Sequence, residues 1–144
     1  MKIVLDTSIL VEVDRKNEAA VRLCKKITRQ QEVYISTVTV AEILTGSYLR
    51  SEAAVKKARR VLGQFHWIEI DGTIADKIAQ ITAYLMTVGK MIEFQDVVIA
   101  ATALVLNAHR FVTQNPDHFK RIPKLSGIVQ TLDQAILGNR SVKS

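Results

Sequence analysis

One cysteine in 144 residues, Cys24, leaves no partner for an internal disulfide. Ala20, Leu23 and Ile27 surround it at helical spacing, and no nearby histidine completes a dyad motif, so it reads as a core thiol. The three histidines, His66, His109 and His118, form neither an HExxH motif nor a paired spacing, which argues against zinc. No glycine-rich loop ends in Gly-Lys-Ser or Gly-Lys-Thr, which removes P-loop nucleotide binding. The longest apolar run, Val97 to Leu106, falls far short of the roughly 20 residues that span a membrane. Low-complexity tracts, repeats and a signal-peptide-like start are also missing, so the cytoplasm is the expected location and no membrane partner is expected. Acidic residues are the scarcer charge, 14 against 20 Lys and Arg. The resulting net charge of +6 favours a polyanionic partner, nucleic acid or an acidic protein.

What is present is a regular alternation. Ile3-Val4-Leu5 is an uninterrupted apolar run of the kind buried on both faces of a parallel sheet, and it ends in Asp6-Thr7-Ser8. Residues 17–31 form an amphipathic helix, residues 33–37 a second strand, and a further helix starts near Thr39. Helix resumes over 51–62 with Lys56, Lys57, Arg59 and Arg60 as the densest basic cluster, a solvated face or an RNA-attracting one. Residues 65–70 read as a third strand, followed by a turn at Asp71-Gly72. Ile74, Ile78, Ile81 and Leu85 then mark a helix that Gly89 closes. Residues 94–107 form a nearly all-apolar, buried helix with Asp96 near its start. A short strand over 110–113, a turn over 114–117 and an edge strand within 126–130 complete the pattern. The expected fold is α/β, three layers with a central, mostly parallel sheet, as one domain over 1–138 with a loose tail over 139–144.

A parallel sheet gathers its strand carboxyl ends at one edge, where open α/β sheets place their ligands. Asp6, Glu42 and the pair Asn115/Asp117 all follow expected strands, and Asp96 opens the most apolar helix. Each has an ordinary structural explanation. Asp6 could cap a helix, Thr39-Val-Ala-Glu42 matches a capping box, Asp96 suits a helix amino end, and Asp117 suits a turn. Together, however, carboxylates collected at one edge repel unless neutralised. A hard divalent cation such as Mg²⁺ or Mn²⁺ would neutralise them and could activate water at a phosphate.

Four stretches carry a resemblance: Ile3–Ser8, Ser36–Leu44, Phe94–Ala103 and Phe111–Phe119. In that order they resemble a PIN-domain ribonuclease, and within that group the VapC-like toxins of toxin–antitoxin pairs. The resemblance implies a metal-dependent endoribonuclease in which Asp6, Glu42 and Asp96 surround Mg²⁺ or Mn²⁺, with Thr7, Ser8 and Thr113 as polar supports. It also implies an RNA substrate, a small antitoxin partner and a homodimer. Asn115 departs from the pattern, because many members carry Asp there. An amide contributes no negative charge, and Asp117 of the same turn is the alternative fourth residue.

Other readings fit less well. A haloacid-dehalogenase-type phosphatase needs a second Asp where Ser8 stands, and a phosphate-receiving domain needs paired acids after its first strand. The alternative from another class is a non-catalytic PIN-fold module that binds RNA or protein, which Asn115 and the basic surface would suit.

Overall fold

The computed structural model describes residues 1–141. In chain order the elements are β1 (Lys2–Leu5), α1 (Thr7–Asp14), α2 (Glu18–Gln30), β2 (Glu32–Ser36), α3 (Thr37–Tyr48), α4 (Glu52–Leu62) and β3 (His66–Ile68). Then follow α5 (Gly72–Val88), α6 (Phe94–Val105), β4 (Arg110–Val112), α7 (Pro116–Phe119), α8 (Pro123–Ser126), β5 (Val129–Gln130) and α9 (Leu132–Ser141). Local chemistry sets many of the boundaries. Asn17, Ser51 and Asp71 each accept a hydrogen bond from the backbone N–H three residues on, starting α2, α4 and α5. Gly89 ends α5 in the left-handed region at φ 68°, where a side chain would be strained.

The strands form one sheet in the order β3-β2-β1-β4-β5, and every pairing is parallel. The first strand of the chain is therefore the central one. Strand alternation divides the interior in two. Ile3, Leu5, Val33, Ile35 and Val112 pack with α1, α2 and α9 on one face, while Val4 and Phe111 pack with α5, α6 and Phe119 on the other. Both faces of β1 are thus covered, which is why Ile3, Val4 and Leu5 are continuously apolar rather than alternating. Cys24 lies in the first of these layers, and burial pushes its thiol up to about 11, as suits a core thiol.

The chain passes from β1 outward through β2 to β3, then returns to β4 on the opposite side of β1. Connections therefore diverge from the carboxyl ends of β1 and β4, the place where such sheets open a crevice. Among the described residues no helix is long and apolar enough to cross a membrane.

Several local expectations need correction. α3 starts at Thr37 with Ser36 as its cap, whose Oγ accepts from the Val38 N–H at 3.1 Å. The supposed capping box at Thr39 does not form, because the strand ends directly into the helix at a serine able to cap it. β3 covers only His66–Ile68 of the expected 65–70, and the turn at 114–117 becomes α7 from Pro116 onward. The expected loose tail begins within α9, which continues to Ser141; residues 142–144 lie outside the described residues.

Candidate active site

Asp6 occupies the amino-terminal boundary of α1 yet caps nothing with its side chain. Its backbone N–H donates to the Val112 carbonyl at 3.0 Å, which locks it to the end of β4. Its carboxylate is almost wholly buried and accepts two hydroxyls at one oxygen, Oδ2: Ser8 Oγ at 2.7 Å and Thr113 Oγ1 at 2.8 Å. Each hydroxyl is in turn an acceptor for a backbone N–H, that of Gln114 on Ser8 and that of Asn115 on Thr113, both at 2.9 Å. A hydroxyl has one proton, and here both protons go to Asp6. Ser8 and Thr113 therefore approach to 3.4 Å without a proton to share. The arrangement fixes Oδ2 and leaves Oδ1 without a hydrogen-bond partner among the described residues.

Glu42 lies in the second turn of α3, one turn later than a capping role would require. Its Oε1 accepts the Thr7 hydroxyl at 2.9 Å, and Thr7 meets the fully buried Thr39 at 2.9 Å. Since the Thr7 proton is committed to Glu42, Thr39 is the donor in the second contact. Thr39 thus works through Thr7 to hold the carboxylate, a part that the capping pattern concealed.

Asp96 sits in the first turn of α6, where the helix dipole favours a negative charge. Its Oδ2 faces His118 Nδ1 at 3.3 Å. Sequence spacing did not single out His118, because its contact with Asp96 joins residues 22 apart through tertiary packing alone. Asn115 and Asp117 are both exposed. The Asn115 backbone N–H supports Thr113, and its side chain does not cap α7. Among the described residues no hydrogen bond or ion pair joins Asp117 to Asp6, Glu42 or Asp96. His118, one position on, reaches Asp96 instead.

The Asp6 charge acts on both other carboxyls, and the Asp96 charge acts on Glu42. Desolvation first, and then the charges of Asp6 and Asp96, raise Glu42 above its ordinary value against the pull of the Thr7 hydroxyl. Asp96 is likewise raised, by desolvation first and then by the Asp6 charge, with His118 opposing and Glu93 adding a small rise. Negative charge is therefore in excess at this edge. Among the described residues no three His, Cys, Asp or Glu side chains close around a point as a preformed cage would. An open set of carboxylate oxygens still fits a hard cation such as Mg²⁺, which keeps several waters and takes only one or two carboxylates. Beside Glu42, a groove of about 290 Å³ runs between α1 and α3, lined by Val11, Ile43 and Gly46 and by the Arg50–Asp14 ion pair at 2.9 Å.

Comparison with known proteins agrees with this architecture. No curated protein sequence matches the chain. A chain in the FitAcB structure from Neisseria gonorrhoeae is 29% identical with a TM-score of 0.75, over 90% of this chain and 97% of that one. A chain of VapBC-1 from nontypeable Haemophilus influenzae is 24% identical with a TM-score of 0.79, over 92% and 99% respectively. One in the VapBC2 structure from Rickettsia felis, bound to a DNA fragment from their promoter, is 24% identical with a TM-score of 0.77, over 91% and 98%. The PIN domain family model matches residues 3–125, a span that takes in Asp6, Glu42 and Asp96 and stops short of β5. With that match and a VapC-like fold, the chain belongs to the PIN domain family.

Proposed function

We propose that this protein is a Mg²⁺- or Mn²⁺-dependent endoribonuclease and the toxin of a toxin–antitoxin pair. The observation that carries the reading is the treatment of the three acids. Asp6 follows β1, Glu42 lies on α3 and Asp96 on α6; the Asp6 charge helps to raise both of the others, and each has one oxygen tied to a donor. Asp6, Asp96 and Glu42 would hold the metal, which would supply Lewis-acid polarisation of a phosphate and a hydroxide-like water at neutral pH. Ser8, Thr113, Thr7 and His118 keep the carboxylates oriented, and the basic surface, with Lys56, Lys57, Arg59 and Arg60 on α4, draws the RNA polyanion toward the molecule. Thr113 belongs to the machinery through Asp6. Asn115 contributes its backbone to Thr113, and Asp117 is left as an outlying carboxylate in the same segment.

The groove between α1 and α3, which reaches Glu42, suits the segment of a small antitoxin, and the structural relatives include VapBC assemblies. A homodimer acting in the cytoplasm completes the proposal. The test is cleavage of a mixed RNA substrate by antitoxin-free protein with Mg²⁺ or Mn²⁺, with EDTA and Asp96→Asn as controls. Because the cation's role is worth several kcal/mol, Asp96→Asn should lower the rate by about a hundredfold or more while the protein stays folded. RNA binding without cleavage by the wild type would replace this reading with the non-catalytic binding module, which the exposed Asn115 would then explain.

A further inference from the structure

Each acid of the site is held at one oxygen, but the holders differ in kind. Asp6 and Glu42 are held by hydroxyls, whereas Asp96 is held by the imidazole of His118. His118 lies on α7, a helix of only four residues, and the position of that helix is set by its neighbours. Pro116 opens it, and Phe119 anchors it, fully buried and packed at a tilt against Phe111 of β4 with ring centroids 4.5 Å apart. The Asn115 N–H ties the approach to α7 to Thr113. With Phe119 buried, the adjacent His118 turns toward the edge of the sheet and meets Asp96, its side chain 43% exposed. So much exposure is more than a packing role requires.

We propose that His118 is the positioning residue for Asp96: its Nδ1–H holds Oδ2 and so presents Oδ1 to the divalent cation. A carboxylate only accepts hydrogen bonds, so the contact selects the imidazole form that carries its proton on Nδ1. The imidazole donates from Nδ1 in that neutral tautomer and in the charged form alike. His118 thereby does for Asp96 what Ser8 and Thr113 do for Asp6, and it closes the third corner of the site. Outer partners of this kind commonly govern metal affinity as strongly as the ligands they orient.

The proposal rests on the metal-site reading above, so its test reads metal binding directly. Free Mn²⁺ is followed by its electron paramagnetic resonance signal as it is titrated with wild type, Asp96→Asn, His118→Ala and His118→Asn. The Asn amide places a donor near the position of Nδ1, so it serves as the conservative replacement. His118→Ala should weaken Mn²⁺ binding by about 10–100-fold, and His118→Asn should restore most of it. Thermal melting of the two His118 variants should match wild type, as befits a half-exposed side chain. Equal Mn²⁺ affinity in His118→Ala and wild type would overturn the proposal while leaving the metal site standing, provided Asp96→Asn is weak. So would an Asn variant as weak as the Ala variant. Binding that Asp96→Asn leaves unchanged would overturn both this proposal and the reading beneath it.

Discussion

Asp6 and Asp96 are two aspartates of the proposed site, and they are placed by different physics. Asp6 stands at the end of the central strand, its backbone bonded to β4 and its carboxylate held by two hydroxyls that are themselves bonded to backbone N–H groups. Asp96 stands in the first turn of a helix, with one imidazole from a four-residue helix beside it. The first carboxylate is over-determined and the second is singly supported. Redundant support tolerates the loss of one member, while single support does not.

The comparison can be broken most sharply at Asp6. Ser8→Ala or Thr113→Val alone leaves one hydroxyl on Oδ2, and the two together leave none. The double variant should therefore lose more Mn²⁺ affinity than the sum of the singles, with a coupling of about 0.5–3 kcal/mol in a double-mutant cycle. Simple additivity would mean the two hydroxyls do not share one task. Thr113→Val should also cost about 1–3 kcal/mol of stability by denaturant unfolding, because the Asn115 N–H loses its acceptor.

A smaller effect sharpens the Asp96 side. In metal-free protein its carboxyl is raised, so the folded state holds the proton more tightly than the unfolded state does. Its contribution to stability is thus fully present below the ordinary aspartate value of about 3.9 and is lost as pH rises through the raised folded value. Asp96→Asn never ionises and escapes that loss. In EDTA it should melt above wild type near neutral pH, and the gap should close in acid. A gap independent of pH would mean that charge at Asp96 does not burden the empty site.

The smallest effect concerns the surface. Charge reversal at Lys56 and Lys57 should lower RNA affinity and flatten its dependence on salt, by about 0.7 in the log–log slope for each phosphate of a single strand that is no longer neutralised. Filter binding at several salt concentrations measures this. An unchanged slope would reduce the α4 cluster to a solvated face.

Much of the fold was legible in the sequence, because β1, α5 and α6 announce themselves by unbroken apolar runs or by helical periodicity. Asp6, Glu42 and Asp96 were legible as candidates because each stands near a strand end or a helix start. The roles of their neighbours were not. Thr39 imitates a cap in sequence, but Ser36 takes that position, and the Thr39 hydroxyl turns to Thr7, 32 residues away. His118 was set aside because ligand motifs are sought at short spacings, and its partner lies across the fold. Asp117 looked the better candidate on charge, yet the burial of Phe119 orients α7 so that His118 reaches Asp96. Local pattern identifies the charged groups; tertiary packing decides which donors reach them.

The central place of β1 also bears on timing. Asp6 leaves a ribosome well before the Thr113 hydroxyl that fixes it, which lies 107 positions later, and β4 must pair with β1 before the two can meet. At synthesis rates of about 5–20 residues per second, that wait lasts on the order of several seconds to tens of seconds. A growing chain carries its first acid throughout that interval without the strand that completes the site. The buried carboxylate and the hydroxyl pair that holds it therefore come together only once the chain has been made through β4 and Thr113.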